Sequence, residues 1–189
     1  MAKRTPKEIL HRVMRTARLN GWSIAIFAGL CALVSLASGD VVGGVIGLIV
    51  AAGGVVEIRG LGKLRQHDAD GGMTLLIRSQ WIVLGSIWAY TLGQLAGFDP
   101  QTAMGQLTPD MKSILDQAGL SNEELMRLLR IIFYSMYATV LLVTLIYQGG
   151  LALYYSRRRA TVREALTAPP EIPTPSRPRP TVGDDVMDN

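Results

Sequence analysis

Hydrophobic residues along this chain gather into blocks, and the charges fall in the gaps between them. Residues 22–38, 41–56, 81–98 and 131–156 contain no Asp, Glu, Lys, Arg or His. A bilayer span needs roughly 17–25 mostly apolar residues, and each block reaches that length with the helical turns flanking it. A spanning segment without neighbours to pair its backbone must be helical. The pattern therefore predicts an all-α integral membrane protein whose four transmembrane helices, at about 22–38, 41–58, 79–98 and 128–156, form an antiparallel bundle.

Charge changes this picture by giving it a direction. Of the 19 Lys and Arg, six precede the first block, none lies between the first and second, four separate the second from the third, three the third from the fourth, and six follow. Alternate segments thus hold 16 of the 19. The positive-inside rule predicts that both termini and the 57–80 loop face the cytoplasm of a bacterial inner membrane, with the 99–130 loop outside. That outer loop carries Asp99, Asp110, Asp116, Glu123 and Glu124 against Lys112, Arg127 and Arg130. A pI near 9.5 then reads as a topogenic signal, and nucleic acid is not an expected partner.

The basic start, the apolar run and Ser35-Leu36-Ala37 also resemble a secretory signal with a small-residue cleavage site. Cleavage there would lead straight into the second block, with no exported domain between. The expectation is a retained signal-anchor helix.

Local signals divide the chain further. Thr5-Pro6-Lys7-Glu8 has the form of a capping box with Pro at the first helical position. Ile9, Leu10, Val13, Met14 and Ala17 share one face behind it, so residues 1–21 read as a basic amphipathic helix lying at the cytoplasmic interface. Gly39-Asp40 joins spans one and two as a tight turn, Asp40 capping the second helix. Span two is expected to continue for a few turns before Asp68-Ala69-Asp70-Gly71-Gly72 breaks it. In the outer loop, 99–120, a short helix is expected from Thr108-Pro109 to Gly119, and Ser121-Asn122-Glu123-Glu124 is a second capping box. Residues 157–189 are expected to form a tail, basic at first, then Pro-rich and too poor in apolar residues to fold from about 168.

Candidate interaction residues follow from periodicity. Gly43, Gly47, Ala51 and Gly54 fall on one stripe of span two, and Gly85, Ala89, Gly93 and Gly97 on one of span three. Small residues at such spacing let backbones approach closely, so these stripes predict a seam between spans two and three, or a homo-oligomer contact. Glu57 lies within about 40° of the first stripe and Arg78 within about 20° of the second; an interfacial ion pair between them is expected, with a gating or proton-linked role for the carboxylate as the alternative. On span four, Arg127, Arg130, Tyr134, Tyr137, Leu141, Thr144, Gln148, Leu151 and Tyr155 alternate by three and four. This polar track reads as interhelical hydrogen bonding, or as the lining of a permeation path with Gln80 and Gln94 opposite.

Enzyme chemistry finds little support. His11 and His67 fall in cytoplasmic segments, Cys31 is alone, and Gly43-Gly44-Val45-Ile46-Gly47 lacks the Lys-Ser/Thr of a phosphate loop. No catalytic residue, metal site or cofactor is expected. The expected role is a structural or accessory subunit that partners the bilayer and assembles through Gly-rich faces, with itself or within a larger membrane complex. A subunit of a small-solute transporter or channel is the first alternative, and a membrane-bound enzyme the second.

Overall fold

A computed structural model describes residues 5–105, 108, 110 and 121–168. The described chain is helical, with no strand among the described residues. Its elements are α1 (Pro6–Ala37), α2 (Val41–Arg65), α3 (Ala69–Ala96), a short α4 (Pro100–Gly105), and α5 (Asn122–Thr144), which passes through a π-helical turn at Leu145–Gly149 into α6 (Gly150–Thr167). Among the described residues, three helices are long and apolar enough to cross a membrane: α1, α2 and the 46-residue run Asn122–Thr167. The 28-residue α3 has the length, but Arg78, Ser79, Gln80 and Gln94 dilute its apolar character.

The helix ends follow local chemistry. At the start of α1, the Glu8 N–H donates to Thr5 Oγ1 (3.4 Å) and the Thr5 N–H to Glu8 Oε2 (3.2 Å). Ser121 and Glu124 repeat this exchange at α5. Gly39 turns the chain at φ 83°, a left-handed conformation that suits a residue without Cβ. Asp40 Oδ1 then accepts from the Gly43 N–H at 2.8 Å. Asp99 caps α4 in the same way, accepting from the Gln101 and Thr102 N–H groups.

Three segments differ from the expectation. Residues 6–21 do not form a separate interfacial helix: α1 is one helix of 32 residues, about 48 Å long at 1.5 Å per residue. The stripe assigned to the bilayer interface instead faces protein, with Val13 and Ala17 fully buried and Ile9, Leu10 and Met14 packed beside them. α2 runs on to Arg65 and is broken beside Asp68 as expected, but the break is shorter than Asp68-Ala69-Asp70-Gly71-Gly72: Asp68 caps α3 through the Gly71 N–H (2.8 Å), and Gly71 and Gly72 sit in its first turns. The connection between α2 and α3 is only Gln66–Asp68, with His67 at φ 65°. Residues 157–167 continue as helix. The Pro-rich tail and the helix expected from Thr108-Pro109 to Gly119 lie largely outside the described residues.

The hydrophobic core occupies the end of the molecule where the charges concentrate. Val13, Ala17, Leu64, Ala69, Met73, Leu76, Tyr155 and Val162 form one buried cluster drawn from α1, α2, α3 and α6. The apolar end is built in the opposite sense: Phe27 is 75% exposed, Val34 69% and Ile146 66%. Glycine, more than large side chains, brings helices together there. A Cβ on Gly54 would stand 2.7 Å from the Ala25 nitrogen and the Gly21 carbonyl oxygen, and one on Gly47 would stand 2.9 Å from the Ala32 Cβ.

Candidate functional site: a buried polar layer around Glu57

Between the packed core and the exposed apolar end lies a layer of buried polar side chains. Asn20, Glu57, Ser79, Gln80, Gln148 and Tyr155 are all buried, Glu57 and Tyr155 completely. α2 brings Glu57 inward because Gly53, Gly54 and Gly60 on the same helix let α1 and α3 approach its backbone from two sides. Gly21 on α1 lies against this part of α2: a Cβ there would stand 3.2 Å from the Gly54 carbonyl oxygen and 3.4 Å from the Glu57 Cβ. Asn20, its neighbour in the chain, is thereby directed at the carboxylate.

The layer is held by a connected chain of hydrogen bonds. Asn20 Nδ2 donates to Glu57 Oε2 at 2.6 Å, and the Tyr155 hydroxyl donates to Glu57 Oε1 at 2.8 Å. The Tyr147 hydroxyl donates to Asn20 Oδ1 at 3.0 Å. The Gln80 amide is a further polar neighbour of the carboxylate; its Nε2 donates to Ser79 Oγ at 3.1 Å. Two buried carbonyl oxygens, Gln80 Oε1 and Gln148 Oε1, have no hydrogen-bond partner among the described residues. All four long helical rods contribute, and a buried carboxylate satisfied by neutral donors on several elements ties those elements together.

Arg78 does not join this layer. It is exposed on α3, and the donors to Glu57 are an amide and a phenol instead of the expected guanidinium. Rotation angles read from separate helices do not fix how those helices turn toward each other. Here Gly53 and Gly60 face α3 while Gly47 and Gly54 face α1. The stripe Gly43, Gly47, Ala51, Gly54 thus contributes to the α1 contact; Gly44 joins it against Leu36, and Ala51 is half-buried. Gly85, Ala89, Gly93 and Gly97 are exposed, and among the described residues nothing lies within 4 Å of a Cβ built on Gly85 or Gly93.

The polar track divides along its length. Arg130 and Tyr134 are exposed, Tyr137 and Thr144 half-buried, and Gln148 and Tyr155 buried. The Thr144 hydroxyl bonds to its own helix, at the Val140 carbonyl (2.6 Å). Toward the outer end, Phe133 stacks on Phe98 with ring centroids 3.7 Å apart and meets Tyr137 at 4.5 Å. Sequence reasoning misses Asn20 and Tyr147. Asn20 had a signal, as the one polar side chain between Arg18 and the first apolar block. Tyr147 had none: an ideal α-helix points it about 100° away from Gln148, and a π-helical turn, a feature frequent at functional sites, lies at this position.

Ion pairs fasten the basic end. Asp70 Oδ1 accepts from Arg163 Nη2 at 2.5 Å and from Arg159 Nε at 3.1 Å, pinning α6 to the first turn of α3. The Arg163 bond, then Arg159, outweighs desolvation and holds the Asp70 carboxyl below its ordinary value of 3.8. The Gly71 N–H, then Lys63 at 3.3 Å, lowers Asp68. Beside Asn20 and Tyr147, an open groove of about 550 Å³ runs along α1 past Arg18, Trp22, Ile26 and Phe27.

Among the described residues, these features define a helical fold with three helices suited to crossing a membrane and a buried polar layer at one end of its apolar zone. Comparison with protein-family models, curated proteins and solved structures finds no match.

Proposed function

We propose that the protein crosses a bacterial cytoplasmic membrane four times, with both termini inside, and serves as a structural or accessory subunit of a larger membrane assembly. Supporting the four-span bundle, α3 packs along α2 in spite of its polar residues. Leu36 meets Gly44 and Gly21 meets Gly54 across the α1–α2 pair, as antiparallel neighbours do. The distribution of Lys and Arg supports the orientation.

The observation that carries the accessory role is the open face of α3. Among the described residues, nothing stands against a Cβ built on Gly85 or Gly93, and the adjoining α5 leaves Ile131, Ile132, Met136, Val140, Leu142 and Val143 exposed. Large apolar side chains are at ease against lipid, whereas a small-residue stripe favours close contact with another helix. Gly93→Leu is expected to convert the native assembly to the free subunit on native gels without changing its thermal unfolding. An unchanged assembly would remove the accessory reading. Reporter fusions after Gly39 and Gln66 test the topology, and activity on the outer and inner sides respectively is expected.

The buried layer favours a second reading, a subunit of a small-solute transporter. An ionisable residue sealed inside a membrane bundle is a functional candidate by default, and solute flux in proteoliposomes that Glu57→Gln abolishes would select it.

A further inference from the structure

We infer that the groove along α1 is a binding site for one anionic phospholipid of the leaflet facing the basic end. The inference rests on the membrane reading of α1. Arg18 is the only charged side chain lining the groove, and it has no ion-pair partner among the described residues. From Arg18 to Phe27 the helix rises about 13.5 Å, roughly half of a hydrocarbon core some 30 Å thick. The groove therefore offers a cation at one end and an apolar wall of Ile26 and Phe27 extending away from it. Trp22 stands between, where an indole suits the headgroup boundary.

Charge selects the headgroup. Arg15 and Arg12 follow Arg18 on the turns toward the N-terminus, and Glu8 is the one acid that lines the neighbouring surface with them. A phosphodiester meets a guanidinium that can grip two of its oxygens. The ammonium of a zwitterionic lipid would meet three cations. Asn20 and Tyr147 line the same groove, and Asn20 bonds to Glu57. The lipid thus sits against the outermost links of the buried polar chain.

The test uses the full chain purified with its native lipids and returned to vesicles of phosphatidylcholine with or without phosphatidylglycerol. Native mass spectrometry is expected to find phosphatidylglycerol retained over phosphatidylcholine, with Arg18→Gln lowering that preference about fivefold and Arg15→Gln lowering it less. Brominated phosphatidylglycerol is expected to quench the fluorescence that Trp22→Phe removes, more strongly than brominated phosphatidylcholine does. Equal quenching, or equal losses from Arg18→Gln and Arg15→Gln, would overturn the site while leaving the membrane reading intact, provided the protein still resists alkaline extraction from membranes. Release by alkaline extraction would overturn both.

Discussion

At the scale of single residues, the central fact is that Glu57 is satisfied by neutral donors. The carboxylate was legible in the sequence as a polar group at the edge of an apolar block, but its partners were not. They come from residues 37 and 98 positions away in the chain, and no local rule relates those positions. Removing the Tyr155 hydroxyl as Phe keeps the ring and deletes one bond to a buried acid. Tyr155→Phe is therefore expected to destabilise the protein by about 1–3 kcal/mol, the cost of leaving a buried acceptor without its donor. Arg78→Gln is expected to change stability by no more than about 0.5 kcal/mol. Unfolding in mixed micelles compares the two, and a larger effect from Arg78→Gln would restore the ion pair in place of this layer.

Asp70 gives a pH dependence whose sign can be worked out. Its carboxyl titrates lower in the folded chain than in the unfolded one, so the unfolded state takes up protons first on acidification. The contribution is fully present above the ordinary carboxylate value and is lost as pH falls through the depressed folded one. The unfolding midpoint of the wild type is expected to fall more steeply below pH 3.8 than that of Asp70→Asn. Parallel curves would mean that the Arg159 and Arg163 contacts add nothing in solution.

At the scale of elements, what the sequence disclosed was what adjacent residues decide. Both capping boxes and the Gly39-Asp40 turn were readable because each depends on a few neighbours. The continuity of α1 was not readable. Leu19-Asn20-Gly21 sits where a basic face gives way to an apolar run, and that change looked like a boundary between two helices. No proline interrupts it, however, and Gly21 is buried against α2, so the helix passes straight through.

The glycine stripes carry the same lesson. Periodicity identified residues sharing a face without saying which neighbour the face meets. One substitution at two sites makes the difference measurable. Gly54→Ala places a Cβ against the backbone of α1 and is expected to cost about 1–3 kcal/mol. Gly85→Ala adds a methyl to open space and is expected to be neutral, or favourable by up to about 1 kcal/mol through helix propensity. Micelle unfolding reads both, and equal costs would mean that Gly54 is not a contact.

At the scale of the whole molecule, one set of helices is built for two solvents. Where charges are dense, Val13, Leu64, Met73, Leu76 and Val162 turn inward as in a water-soluble bundle. Where charges are absent, large apolar side chains turn outward and glycines take the interior, as lipid favours. Hydropathy found the second region readily because uninterrupted apolar runs are conspicuous. It passed over the first because an amphipathic face reads the same whether it meets a headgroup layer or three other helices. The buried polar layer lies between the two regimes.

The core that joins α1 to α6 also bears on biogenesis. Val13 and Ala17 emerge from the ribosome long before Tyr155 and Val162, which complete their cluster. Until then the face that α1, α2 and α3 turn toward α6 has no cover. A chain cut short before α6 would keep that face bare, giving chaperones and proteases a mark by which to tell unfinished copies from finished ones.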